Sequence, residues 1–406
     1  MTAPAFHGWR MVSACMLLAT VSWSLGIFGM GVYVFALTDQ QGFSVSTVST
    51  AITGAYVVSA LLMMGVGRFI ARRGPRPVVA AGALAMALGV AALPHCRQPW
   101  QLYGAFLVLG LGVACLSTNT IGSTLAPWFE RHQGRAMSTA MLGASIGGMV
   151  GTPLLMGGLR LWGFAATAAI AGAAALVLLL PLAVLVLRTR PQDLGQFPDG
   201  IAAPAGSPPA AAAVAWTLRG AAATRQFRSH IIAFGLALMV QIGLLSHHVS
   251  ITLPVLGAQG AAAAVSAAAV AAFAGRLLLA RYADRIDVRL SGAGVLLLAA
   301  AALVGMALWP RPWALMALSV TYGLTVGNVT TLAPMIIRRE FGAASFGLVF
   351  GLAATLNQLA MSLGPTLFGT LRDAFGSYGP ALVLCAALNL AAAAAIVWGG
   401  RRPLGG

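Results

Sequence analysis

Lysine is missing altogether: all 24 basic residues of this 406-residue chain are arginine. Acidic side chains are scarce, with eight Asp and Glu, and charged residues make up 8% of the total. Soluble domains carry about 25%. That shortage excludes a soluble multidomain protein, although length alone would allow two or three domains. The four cysteines, Cys15, Cys96, Cys115 and Cys385, are scattered without metal-ligand spacing, which excludes a disulfide framework. Three of them lie in apolar runs and read as small packing residues. There is no phosphate-binding loop, no pair of carboxylates and no Cys/His cluster. No enzyme site, cofactor or metal is therefore expected.

What fills the space is apolar: 59% of residues, with a mean hydropathy of +0.88. The segments are continuous runs, not alternating ten-residue strands, so an outer-membrane barrel is excluded. About 20 apolar residues span a bilayer. Twelve runs meet that length, near 10–37, 44–70, 77–94, 100–128, 134–159, 163–187, 229–256, 261–283, 290–309, 312–337, 343–371 and 379–399. The predicted fold class is thus an all-α membrane protein with twelve transmembrane helices. Trp9, Trp100, Trp128, Trp162, Trp309, Trp313 and Trp398 stand near run ends, as interfacial anchors do. The N-terminal run follows MTAPAFHGWR with no small-residue cleavage site and reads as a retained first helix.

A net charge of +16 raises nucleic acid as a partner. The distribution of arginine favours topology instead. One set of alternate loops holds 19 arginines and the opposite set holds four, with Arg276 in neither. The positive-inside rule then places both termini in the cytoplasm of a cell whose inner membrane holds the chain.

The longest loop, 189–228, contains DLGQFPDGIAAPAGSPPAAAA, the composition of a flexible linker. It divides the chain into six-helix bundles at 1–188 and 229–406, and its end, Trp216–Arg228, suits a short interfacial helix. The bundles repeat. Thr124-Leu125-Ala126-Pro127 recurs as Thr331-Leu332-Ala333-Pro334, and Pro153-x-x-x-Gly157 recurs as Pro365-x-x-x-Gly369. Ala71-Arg72 matches Asp284-Arg285. The offsets of 207, 212 and 213 residues keep a nearly constant register along the chain. Such pseudo-symmetric bundles place a substrate site near the membrane midplane.

Arg276 is the one charge well inside an apolar run. A cation there costs roughly 2.5–3.5 kcal/mol, so it is expected to face a cavity and pair with an anion. No carboxylate lies in any of the twelve runs, which points to the cargo as its partner. Guanidinium grips a carboxylate with two parallel hydrogen bonds. Snorkelling to the interface is the competing role. One cation without an anion favours a monoanion over a dicarboxylate or a cationic drug. Gln241 and His248 share a helix face, and His248 could carry a proton. An interfacial histidine bonded to a neighbouring backbone is the alternative. Asn119 and Asn328 are repeat-related amides, and Asn357 and Tyr33 are further polar candidates that could equally well pack between helices. Gly143, Gly147 and Gly151 read as points of close helix approach, and Gly26, Gly29 and Gly31 as sites where the first helix can bend.

These residues together resemble the major facilitator superfamily, and within it the bacterial branch similar to monocarboxylate transporters and oxalate/formate antiporters. The likeness runs through Gly8-Trp9, Trp128-Phe129-x-x-x-x-Gly134-x-Ala136, Arg190-Pro191-x-Asp193-Leu194-Gly195-x-x-Pro198-Asp199-Gly200, Gly275-Arg276, Ala283-Asp284-Arg285 and Gly376-Ser377-Tyr378. It implies alternating access by rocking of the two halves, with Arg72, Gly74, Asp284 and Arg285 in the gating motifs. It also implies a small monocarboxylate substrate moved with a proton or against a counter-anion, in a monomer. Three positions depart from the pattern. Ala71 replaces the gating acid, Ala272 stands where mammalian relatives carry an aspartate, and Thr355, Asn357 and Gln358 stand where an oxalate carrier has a lysine. Two other functions fit parts of the sequence: an exporter of apolar compounds, and a non-transporting membrane sensor.

Overall fold

The computed structural model describes residues 6–130, 132–200, 216–282 and 287–400. Every regular element among them is helical. Ten helices are long and apolar enough to cross a membrane. Two of these, Gln133–Val186 and Arg225–Leu279, run for 54 and 55 residues, about 80 Å if straight against a hydrocarbon core of about 30 Å. Each is broken by one glycine, Gly163 at φ 77°, ψ 175° and Gly257 at φ 69°, ψ 175°. Only glycine adopts that combination readily. A Cβ on Gly158 would strike the Thr167 side chain, so the chain folds back at Gly163. Divided at these two glycines, the helices are consistent with the twelve apolar runs. They are α1 (Gly8–Gln41), α2 (Val45–Arg73), α3 (Pro75–His95), α4 (Pro99–Trp128), α5 (133–162), α6 (164–181), α7 (225–256), α8 (258–282), α9 (Val288–Leu308), α10 (Pro312–Gly342), α11 (Ser345–Phe375) and α12 (Gly379–Trp398). The connections expected at 257–260 and 338–342 shrink to Gly257 and Gly342, because a glycine in the extended left-handed region reverses a chain within one residue.

The chain divides into two compact units, residues 1–43 with 54–209 and residues 44–53 with 210–406. In the first, α1 lies against α5. A Cβ on Gly143, Gly147 or Gly151 would collide with Met16, Thr20 or Ser24 of α1, so these glycines set the separation as small residues do in lipid. Where α1 passes Gly147 it widens into a π-helical turn, Ser24–Phe28, and Ser24 Oγ donates to the Gly147 carbonyl at 3.1 Å. This π turn contains Gly26 and ends beside Gly29, two of the glycines expected to let α1 bend. Gly110 of α4 meets the carbonyl of Ala55 in α2. The arginine-rich end is stitched by the loop after α6. Asp199 accepts from the backbone N–H groups of Glu130 and His132 at 3.1 and 3.3 Å. Gln196 accepts from His7 N at 2.9 Å, and Arg76 Nε donates to the Leu187 carbonyl at 2.8 Å. Trp128 is fully buried here among Phe6, His7 and Phe129, not an interfacial anchor, because the loop covers the end of α4.

In the second unit the repeat persists at the level of contacts. Gly323 meets the Ala268 carbonyl as Gly110 meets that of Ala55, both residues 213 positions later. Arg289, 213 positions after Arg76, donates to the Ile396 carbonyl at the end of α12 at 2.6 Å. It does more. Nε and Nη2 hold the two carboxylate oxygens of Glu340 at 2.6 and 2.9 Å. Nη1 also reaches Ser229 Oγ at 2.7 Å and Nη2 the Gln226 carbonyl at 3.2 Å. All five guanidinium N–H groups have acceptors. Sequence placed Arg289 among loop arginines and Glu340 outside the spans. The structure buries both, at 4% exposure for Arg289. The interfacial helix expected at 216–228 is a short helix, Leu218–Ala223, followed by the start of α7. Trp216 and Phe227 pack on Phe341, and Trp216 N donates to Ser345 Oγ at 2.7 Å.

Two stability predictions follow from this packing. Gly163→Ala should destabilise the solubilised protein by about 1–3 kcal/mol, whereas Gly157→Ala, which meets no neighbour within 4 Å, should be neutral or slightly stabilising in a thermal melt. Glu340→Ala leaves a buried guanidinium uncompensated and should cost about 3–5 kcal/mol. The double variant Arg289→Met/Glu340→Leu should recover much of that loss.

Candidate substrate site

α8 carries Arg276 because small residues let it lie close to α10. Carbonyls of Ala268 and Ala272 abut Gly323 and Gly327, and the Leu324 carbonyl abuts Gly275. The Arg276 stem crosses Gly327, and Nη2 donates to Thr330 Oγ1 over a long 3.5 Å. Asn328 sits on the other side of Gly327, against Gly275. Its Nδ2 donates to the Leu324 carbonyl at 3.0 Å, and its Oδ1 is buried with no protein donor. Arg276 and Thr330 therefore pair a forked cation with a hydroxyl, while Asn328, two positions from Thr330, turns its amide toward Gly275 and keeps a free oxygen there. Chemically, such a set suits a carboxylate carrying a donor group. Thr330 is the member that sequence reasoning missed. No local pattern marks it, because threonine is common in helices and two positions from Asn328 is not the same helix face.

The other predicted residues lie elsewhere. His248 of α7 is buried and bonded through Nε2 to Ser319 Oγ of α10 at 2.9 Å. Ser319 and Thr330 are eleven residues apart on one helix, about 16 Å, so a small acid held at Arg276 does not reach His248. Gln241 is buried one face-repeat before His248. Asn357 of α11 is buried beside Gly235 of α7, its Oδ1 without a protein donor. In the first unit, Asn119 donates to the Met63 carbonyl of α2 at 2.9 Å and lies against Gly67, much as Asn328 lies against Gly275. Tyr33 is buried beside Gly29 with its hydroxyl unpartnered, while Tyr56 donates to the Gly26 carbonyl at 2.9 Å.

Of the gating residues, Arg72 is exposed on the last turn of α2. Gly74 turns the chain into α3 at φ 79°, ψ 173° and lies against Thr189. Asp284 and Arg285 lie outside the described residues.

Sequence pointed to His248 and not to its neighbour His247. The structure gives His247 the richer surroundings. Nε2 stands 3.1 Å from Ser49 Oγ and 3.2 Å from the Pro365 carbonyl, Nδ1 stands 3.1 Å from the Tyr378 hydroxyl, and the ring stacks on Phe368. Ser49 Oγ already donates to the Val45 carbonyl at 2.6 Å. Both neighbours of Nε2 must then accept, so Nε2 carries the hydrogen and Nδ1 accepts from tyrosine. Burial pushes the Tyr378 phenol up to about 12, so it stays a donor at neutral pH.

Two apolar helical units that share the close contact at Gly110 and Gly323 belong to a polytopic membrane protein. The Major Facilitator Superfamily model matches residues 12–365, and the chain belongs to that superfamily. Monocarboxylate transporter 11 of Mus musculus is 28% identical over 95% of this chain and 86% of its own length. Monocarboxylate transporter 13 of Bos taurus is 27% identical over 80% of this chain and 73% of its own. Among solved structures, a bacterial homologue of the human lysosomal transporter Spinster superposes with a TM-score of 0.74 at 16% identity, covering 98% of this chain and 95% of that one. That likeness concerns the fold.

The two repeat-related amides should separate in a thermal melt. Asn119→Ala removes a bond between helices and should destabilise by about 0.5–1.5 kcal/mol. Asn328→Ala removes only a bond within its own helix and an unpartnered oxygen, and should leave the melting temperature nearly unchanged.

Proposed function

We propose that this chain is a secondary transporter of a small monocarboxylate, working by alternating access in the inner membrane with both termini in the cytoplasm. The observation that carries the proposal is Arg276, whose stem crosses Gly327 and whose guanidinium reaches Thr330, with the Asn328 amide at the same contact between α8 and α10. The relatives named monocarboxylate transporters support the same class of cargo. The carboxylate lies on the guanidinium fork, and the Asn328 amide oxygen accepts from a hydroxyl on the acid. The arginine distribution supports the orientation. Gradients supply the energy, carried by a proton or a counter-anion.

The test is counterflow in liposomes preloaded with unlabelled lactate or pyruvate, with entry of the same labelled acid followed over time. Arg276→Ala should lower the rate about ten- to hundredfold, the loss of a charge-assisted hydrogen bond, and Arg276→Lys should fall between. Equal flux in wild type and Arg276→Ala would sink the carboxylate reading and favour an exporter of apolar compounds.

A further inference from the structure

The His247 cluster is not explained by holding a monocarboxylate at Arg276. Its parts come from four segments of the second unit. Ser49 begins α2, His247 is in α7, Pro365 and Phe368 are in α11, and Tyr378 is in the turn before α12. Two more bonds reinforce the same junction. Ser46 N donates to Asp373 Oδ2 at 2.7 Å, and Thr366 Oγ1 donates to Thr53 Oγ1 at 2.7 Å. Residues 44–53 are thus tied to α7 and α11 by hydrogen bonds as well as by close packing of Ser49 and Val45 on Gly369, with His247 at the centre.

The tautomer argued above makes this junction sensitive to one proton. Neutral His247 donates from Nε2 and accepts at Nδ1. Its only vacant proton position is Nδ1, and there it meets a hydroxyl that can reverse. The charged groups facing it are Asp373 and Arg372. Asp373 is exposed, and the Arg372 guanidinium lies 5.5 Å over the Tyr378 ring. Tyr378 is partly exposed and lies in the turn before α12, which makes it the member of the cluster nearest the end of the spans.

We propose that His247 is the residue that carries a coupled proton, entering at Nδ1 through Tyr378 and loosening the hold on residues 44–53. The inference rests on the monocarboxylate reading. Protonation puts a hydrogen on Nδ1, so Tyr378 Oη must turn from donor to acceptor and send its own hydrogen elsewhere. The imidazolium keeps its Nε2–H but no longer fixes the tyrosine as before. The proton leaves Nδ1 when the cargo has been released. One proton with one monoanion moves no net charge, so transport is electroneutral symport.

The experiment uses the same liposomes with two assays. Counterflow at equal pH needs no net proton movement. Accumulation driven by an inward pH gradient of one unit does need it, with a ceiling of about tenfold for one proton per anion. His247→Gln can donate to Ser49 and Pro365 and accept from Tyr378, but it cannot take up a proton. Its counterflow should persist while gradient-driven accumulation falls to the level of empty liposomes. Tyr378→Phe keeps the ring and removes the hydroxyl, and it tests the same route should His247→Gln fail to fold. It should slow accumulation at least about threefold with counterflow intact, a modest change for one neutral hydrogen bond. Collapsing the membrane potential should leave wild-type accumulation unchanged. Accumulation by His247→Gln equal to wild type overturns the proposal, as does wild-type counterflow that gains nothing from the pH gradient. Absence of wild-type counterflow instead removes the monocarboxylate reading on which the proposal stands.

Discussion

The second unit depends on one buried ion pair. Arg289 and Glu340 exchange two hydrogen bonds, and the remaining three N–H groups of Arg289 reach Ser229, the Gln226 carbonyl and the Ile396 carbonyl. One side chain thereby joins the ends of α7, α9, α10 and α12. In low dielectric such a pair is tolerable only when every donor is used, and here every donor is. Gly399 belongs to the same arrangement, since a Cβ there would collide with Arg289 and Ser229. The His230 and Phe234 rings, one turn apart along α7, lie tilted against each other at 4.6 Å.

The repeats explain why the candidate substrate cluster sits where it does. Close contacts at Gly110 and Gly323 bring a second helix against a fourth in each unit. Beyond them the register slips. Fourteen residues separate Gly110 from Thr124, and eight separate Gly323 from Thr331. The first unit absorbs its six extra residues by breaking α4 at Leu116 and restarting it on the Ser117 cap. α10 stays continuous. The repeat-related amides are therefore used differently, with Asn119 tied across to α2 and Asn328 bonded to its own helix. An asymmetric cargo calls for that kind of inequality.

Much of the architecture was legible in the chain. Hydrocarbon forces backbone groups to pair internally, so apolar length and arginine spacing report spans directly. The glycines of α5 also read correctly as contact points. What stayed hidden depended on which residues meet. Glu340 follows two arginines near a helix end, and no local pattern distinguishes a buried partner from a solvated acid. Trp128 looked like its counterparts at other run ends until the loop after α6 was seen to cover it. The choice between His247 and His248 required knowing that Ser49, Pro365 and Tyr378 converge on one ring. Thr330 was invisible because its value lies in facing Arg276 across Gly327.

The two units close their arginine-rich ends by different physics. The first uses a loop whose anchor, Asp199, sits at φ 57° and is shared with His132, a side chain half open to water. The second uses a pair sealed from solvent. Asp199 itself is sealed, at 5% side-chain exposure, and is held chiefly by the backbone N–H groups of Glu130 and His132. One end thus fastens its carboxylate with neutral backbone donors and the other with a full cation.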